Sequence, residues 1–243
     1  MMQNLLIEIG NTALKAALSE GMTLGKTFRY QGEKKTEFIL SLVEKEKPFA
    51  VVLASVYDIP AAEEKRLRKA CPELLLLDPS HKDILQKYGM PEHLTFDRAA
   101  ALIGARYLFK GKPCTVVDFG TTLTVDFMGA EGSWQGGFIS LGCRTRFKAL
   151  NRYSKALPMV NIPDEAPAVG TSLQSSIEAG VISGIMFEIQ GYIDSRPGNI
   201  VVFTGGDANY FAKRMKNSIF VVCNLVLIGL ALITDDYVER KDS

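Results

Sequence analysis

Two segments of this chain share one design. LLIEIGNTALKAAL, Leu5 to Leu18, sets Glu8-Ile9-Gly10-Asn11-Thr12 between two apolar runs. TVVDFGTTLTVDF, Thr115 to Phe127, sets Asp118-Phe119-Gly120-Thr121-Thr122 in the same way. Each reads as a hairpin whose bend carries an acid, a glycine and short polar side chains. Glycine and threonine suit turns and strand ends in any protein, so one copy constrains little. Two copies need a shared cause, and internal duplication is the economical one.

The rest of the pattern agrees. After the first hairpin come a predicted strand at Met22 to Tyr30, a helix at Lys35 to Lys45 with Phe38, Ile39, Leu42 and Val43 on one face, and a β-branched strand at Phe49 to Ser55. A charged helix at Ala61 to Ala70, a strand at Glu73 to Leu77 and an alanine-rich helix at Asp97 to Phe109 complete the first half. The programme then restarts. Strands are predicted at Thr115 to Phe119, Thr124 to Met128 and Gly136 to Ser140, and helices at Thr145 to Asn151 and Thr171 to Asp194. A strand at Asn199 to Thr204, a helix at Ala208 to Lys216, a strand at Ile219 to Val222 and a closing helix from Leu225 follow. Lys110-Gly111-Lys112-Pro113 marks the seam. The expected domains are therefore residues 1–112 and 113–243, each an α/β half with a mixed sheet flanked by helices.

Composition narrows the partners. Lys plus Arg number 28 against 27 for Asp plus Glu, so no global field draws the chain to nucleic acid or an anionic membrane. A small-molecule substrate is the expectation. Met1-Met2-Gln3-Asn4 leads into a predicted strand without a basic region or cleavage site, which predicts a cytoplasmic protein. The run from Ser218 to Thr234 is short of the roughly 20 residues a bilayer needs and contains Asn224 and Gly229, so it reads as a buried strand and a packed helix. Cys71, Cys114, Cys143 and Cys223 lack metal-ligand spacing and read as free thiols in apolar surroundings.

Glycine lets backbone N–H groups come close to a ligand, and Thr or Asn adds short donors, so each bend can cradle phosphate oxygens. Glu8 and Asp118 carry the wrong sign for phosphate unless a cation lies between. Two such bends suggest a nucleotide in a cleft. A third glycine turn, Thr204-Gly205-Gly206-Asp207, stands between a strand and a helix. It reads either as an ordinary turn with Asp207 as N-cap or, alongside the other two, as a loop on the adenosine side of a nucleotide.

These features resemble the acetate kinase, sugar kinase, heat-shock chaperone and actin superfamily, whose duplicated actin-like (ribonuclease H-like) halves clamp ATP in a cleft between them. More narrowly, the chain is similar to the type III pantothenate kinases. IEIGNTALK, TFDRAAALIGA, DFGTTLTVD, GGFISLG, AVGTSLQSSIEAG, TGGDA and NLVLIGL occur in that family's order across nearly the whole chain.

The resemblance implies ATP-dependent phosphorylation of pantothenate to 4′-phosphopantothenate, opening coenzyme A biosynthesis. It implies Asp97 as the proton acceptor; taken alone, Asp97 is as readily a helix N-cap or a partner of Arg98. Tyr88, Thr95, Phe96, Asp97, Arg98 and Thr171 stand at the family's substrate positions, and the Arg98 guanidinium suits the substrate carboxylate. Thr95 replaces the usual glycine. Glu8, Ile9, Gly10, Asn11, Thr12, Ala13, Leu14 and Lys15 correspond to the first phosphate loop and Thr121 to the second. Asp118 matches a ligand of a monovalent cation, K+ or NH4+, with Mg2+ accompanying ATP. Glu8 departs from the family's Asp by one methylene, about 1.5 Å of reach. Leu141 and Ile228 also depart and read as neutral packing changes. A homodimer is implied, with no nucleic acid and no membrane partner. Other small-molecule kinases of the superfamily, an actin-like assembly protein and a weakened nucleotide-binding regulator are the competing readings.

Overall fold

The structure, a computed structural model, describes residues 3–242. Met1 and Met2, part of the N-terminal lead considered above, lie outside the described residues. The chain forms two compact units. One comprises the chain up to Lys110 with Gly132–Trp134 and the chain from Asn224 onward; the other comprises Gly111–Glu131 and Gln135–Cys223.

In the first unit, β1 (Asn4–Ile9) pairs antiparallel with β2 (Leu14–Glu20), and β2 pairs antiparallel with β3 (Thr23–Tyr30). On its other side β1 runs parallel to β4 (Val51–Ser55), which is followed by β5 (Leu74–Leu77). Every residue of β4 is buried, as expected of a central parallel strand with both faces covered. β3 is an edge and carries the charges of Lys26 and Arg29, which discourage pairing with another sheet.

α1 (Lys35–Glu46) buries Ile39, Leu42 and Val43 against this sheet and stops at Lys47, whose left-handed φ of 48° turns its N–H onto the Val43 carbonyl. α2 (Ala61–Ala70) buries only Leu67. A short α3 (Asp83–Lys87), not anticipated from the sequence, precedes α4 (Phe96–Leu108). α4 and the closing helix α8 (Leu225–Asp242) cross through small residues. A Cβ on Gly229 would lie 1.9 Å from the Ala100 carbonyl oxygen, and one on Gly104 2.7 Å from that of Leu225. The glycine of NLVLIGL is thus there for helix packing.

The second unit repeats the plan. β6 (Cys114–Phe119) pairs antiparallel with β7 (Thr122–Met128) and parallel with β9 (Ile200–Gly205), with β8 (Trp134–Leu141) beyond β7 and β10 (Ile219–Val221) beyond β9. The order β8-β7-β6-β9-β10 matches β3-β2-β1-β4-β5 strand for strand. The duplication inferred from two short motifs is therefore a duplication of whole sheets. α5 (Cys143–Tyr153), α6 (Leu173–Asp194) and α7 (Ala208–Ala212) complete it. α6 starts at a capping box between Ser172 and Ser175 and lays Ile177, Val181, Ile182, Ile185, Ile189 and Ile193 on a core that holds Phe119, Phe203 and Phe211. The Phe119 ring stands 4.8 Å from Phe203 and 5.0 Å from Phe211.

The long apolar run divides as expected into a strand and a helix, but β10 is only partly covered and Phe220 is 50 % exposed. Among the described residues no helix is long and apolar enough to cross a membrane. All four cysteines are free. Cys71, Cys114 and Cys143 are buried, whereas Cys223 is exposed, contrary to its reading as a thiol in apolar surroundings.

Candidate functional site

Glu8 and Asp118 occupy the same place in the repeat, each the last residue but one of its central strand. Glu8 lies opposite Ala54 of the parallel neighbour and Asp118 opposite Thr204. The sheet plan therefore delivers an acid to the mouth of each bend.

In the first unit the bend is closed by a hydrogen bond from Gly10 N–H to the Ala13 carbonyl at 3.0 Å. Asn11 and Thr12 are exposed at its tip, while Ile9 and Leu14 point into the core, so these two offer a ligand backbone only. Glu8 pairs with Lys15 across the hairpin at 3.4 Å. Burial raises the Glu8 carboxyl above its ordinary value, Lys15 opposes this, and the like charge of Asp97 raises it further. The charge of Asp97 thus reaches Glu8 although 89 positions separate them in the chain (97 − 8).

Asp97 sits in the first turn of α4, and its Oδ1 accepts the Arg98 N–H at 2.9 Å. The N-cap position belongs to Thr95, so Asp97 is not the cap. Arg98 and Phe96 are buried and Thr95 is partly covered. Tyr88 follows α3, and its hydroxyl donates to Asp236 Oδ2 of α8 at 2.8 Å. Lys35 also reaches the bend, with Nζ 3.3 Å from the Gly10 carbonyl and 2.8 Å from the Tyr57 hydroxyl. Lys35, Tyr57 and Asp236 have no place in the motifs; only folding brings them beside residues that do.

In the second unit three motifs that are distant in sequence meet. Gly120 N–H donates to the Thr122 carbonyl at 3.1 Å. The Thr121 carbonyl accepts from Gly142 N–H at 3.0 Å and from the Thr145 hydroxyl at 2.6 Å, so the start of α5 holds the bend from one side. β9 holds it from the other. Gly205, at φ 91°, leaves so little room that a Cβ there would lie 2.3 Å from Asp118 Oδ1. Asp207 begins α7 without a side-chain capping bond, and its N–H approaches the Phe119 carbonyl at 3.4 Å. Burial raises the Asp207 carboxyl, and Arg144 opposes it. DFGTT, the end of GGFISLG and TGGDA are thus one surface. Gly120, Thr121 and Thr122 are exposed on it.

Thr171 is exposed ahead of α6, its N–H donating to Ser175 Oγ at 2.9 Å. An apolar groove between α5 and α6 lies nearby in sequence, lined by Leu150, Tyr153, Leu173, Ile177 and Val181, with Arg146 beside it.

The donor set at Asp118 suits a hard cation of modest charge. A half-buried carboxylate stands at a bend of exposed hydroxyls, approached by a glycine rather than a side chain. Among the described residues no group of three or more His, Cys, Asp or Glu is placed to hold a metal by itself, so phosphate or water oxygens would complete such a shell.

The family model of the type III pantothenate kinases matches residues 4–195. A type III pantothenate kinase from Cytophaga hutchinsonii is 36% identical over 231 residues, spanning 93% of this chain and 96% of that relative. Among solved structures, a Baf-family protein from Campylobacter jejuni aligns with a TM-score of 0.65 at 20% identity, covering 97% of this chain and 99% of that one. MreB5 of Spiroplasma citri bound to ADP aligns with a TM-score of 0.55 at 10% identity, covering 100% and 99%. These structural likenesses carry the fold, which is actin-like in both halves. The sequence matches carry the family: this chain belongs to the type III pantothenate kinases.

Proposed function

We propose that the protein transfers the γ-phosphoryl group of ATP to the 4′-hydroxyl of pantothenate, giving 4′-phosphopantothenate and ADP as the first step of coenzyme A biosynthesis. The observation that carries this reading, beyond family membership, is that Asp97 stands in the first turn of α4 with its charge within reach of Glu8 at the EIGNT bend.

The chemistry follows from what each group can do. The alcohol oxygen forms its bond to the γ-phosphorus as the bond to the β–γ bridging oxygen breaks, and the alcohol proton passes to the Asp97 carboxylate. Arg98 receives the substrate carboxylate, with Tyr88, Thr95, Phe96 and Thr171 forming the rest of the substrate contacts. Glu8 through Lys15 and Thr121 serve as phosphate-binding segments. Lys15, already matched by Glu8, and Lys35, whose partners are a carbonyl and a phenol, supply positive charge at the first bend. Asp118 would hold a monovalent cation whose charge would offset that of the phosphates, and Mg2+ would accompany ATP.

In this reading residues 1–112 supply the first phosphate loop and the substrate segment, and residues 113–243 the second phosphate loop and the adenosine-side turn. The enzyme works in the cytoplasm as a homodimer, and the apolar groove between α5 and α6 offers surface for association. The test is a coupled ADP-release assay with pantothenate, a hexose or no acceptor, each with and without K+. Release that depends on pantothenate and rises with K+ supports the proposal. Release with hexose alone points to another small-molecule kinase, and release with neither points to a regulator.

A further inference from the structure

Tyr88 is held once through its side chain and once through its backbone. Its hydroxyl donates to Asp236 Oδ2 at 2.8 Å, and its carbonyl accepts from Arg106 Nη1 of α4 at 2.9 Å. The acceptor is fixed in turn. Arg240, one helical turn further along α8, meets Asp236 Oδ1 through Nε at 3.2 Å and Oδ2 through Nη2 at 2.9 Å. One carboxylate oxygen is thereby aimed at the phenol. Burial and this carboxylate both hold the Tyr88 proton on, so the hydroxyl stays neutral across the working range of pH.

A phenol has one proton to donate and lone pairs with which to accept. With that proton committed to Asp236, what Tyr88 offers a ligand is an acceptor. We infer that Asp236 is a positioning residue that makes the Tyr88 hydroxyl an acceptor for a substrate O–H or N–H, and not a donor to the substrate carboxylate. The inference rests on the reading of Tyr88 as a substrate contact. Electrostatics point the same way: a carboxylate behind the phenol polarises its oxygen toward a donor and repels a second carboxylate.

The test measures KM for pantothenate and kcat for the wild type, Tyr88→Phe, Asp236→Ala and the double variant. The wild type and Tyr88→Phe are then compared on three analogues: one with an ester oxygen in place of the amide N–H, one without the secondary hydroxyl, and one with the carboxylate reduced to an alcohol. Each single substitution should raise KM for pantothenate roughly tenfold while kcat stays within about twofold, the pattern of lost uniform binding. Asp236→Ala should add nothing in the Tyr88→Phe background, whereas a merely structural role would persist there. Either the ester or the deoxy analogue should abolish the difference between the wild type and Tyr88→Phe, and the alcohol analogue should preserve it. Loss of the difference on the alcohol analogue overturns the inference, as does its survival on all three or an additive double variant. A wild type that does not turn over pantothenate removes the underlying reading, and this inference with it.

Discussion

Gly142 meets the carbonyl of Gly120 so closely that a Cβ at position 142 would stand 2.1 Å from that oxygen. The start of α5 is thus shaped to the DFGTT bend, and Gly142 N–H completes the fit by donating to Thr121 at 3.0 Å. Gly142→Ala must displace the bend. Overpacking of this kind costs about 1–3 kcal/mol, which lowers Tm by roughly 2–4 °C per kcal/mol in a chain of this size. If the bend holds nucleotide phosphate, KM for ATP should rise about tenfold or more with KM for pantothenate little changed. An unchanged KM for ATP would separate the bend from nucleotide binding.

Glu8 gives a pH-dependent prediction. Burial raises its carboxyl above the ordinary value of 4.5, so the folded state holds this proton more tightly than the unfolded chain does. That favours folding below about pH 4.5, and the contribution is lost as pH rises through the raised value. Glu8→Gln removes the titration. The Tm of the variant relative to the wild type should therefore climb between pH 4 and pH 7, as followed by circular dichroism on the order of every half unit. A difference that stays flat with pH would mean that Lys15 fully offsets the burial.

The duplicated hairpins, the strand alternation and the order of the landmarks were legible because they rest on local patterns: continuous apolar runs in strands buried on both faces, glycine at bends, apolar faces on helices. The Tyr88–Asp236 bond was not, since 148 residues separate the partners and nothing local to either announces the other. Lys35 was not legible for the same reason: the β2–β3 pairing sets Tyr30 opposite Leu14 and so brings the start of α1 to the Gly10 bend, and the β1–β4 pairing brings Tyr57 there. α3 is too short for periodicity to reveal it. α7 ends at Ala212 rather than Lys216.

The α4–α8 crossing tests the packing account independently of activity. A methyl at Gly229 would fall 1.9 Å from the Ala100 carbonyl oxygen, an approach that only a shift of one helix can relieve. Gly229→Ala should lower stability by about 1–3 kcal/mol in urea titration despite the better helix propensity of alanine. A stabilised variant would contradict the contact.

The thiols should differ sharply in reactivity. Burial pushes Cys114 up to about 11 and Cys143 up to about 12, and raises Cys71 as well. Cys223 alone is exposed. Iodoacetamide at about pH 8, where thiolate is the reacting form, should add one label to the folded protein, at Cys223, by intact-mass and peptide analysis. Labelling at Cys143 on the same timescale would show that α5 opens readily.

The central claim is that this chain moves phosphate onto pantothenate with Asp97 as proton acceptor. The direct measurement is transfer of label from γ-labelled ATP to pantothenate by the wild type and by Asp97→Asn, with Tm and ATP binding measured on both. The account requires labelled 4′-phosphopantothenate from the wild type and a rate about 10²–10⁴-fold lower in the variant at unchanged Tm and ATP affinity. Equal transfer by the variant, or none to pantothenate by the wild type, would contradict it.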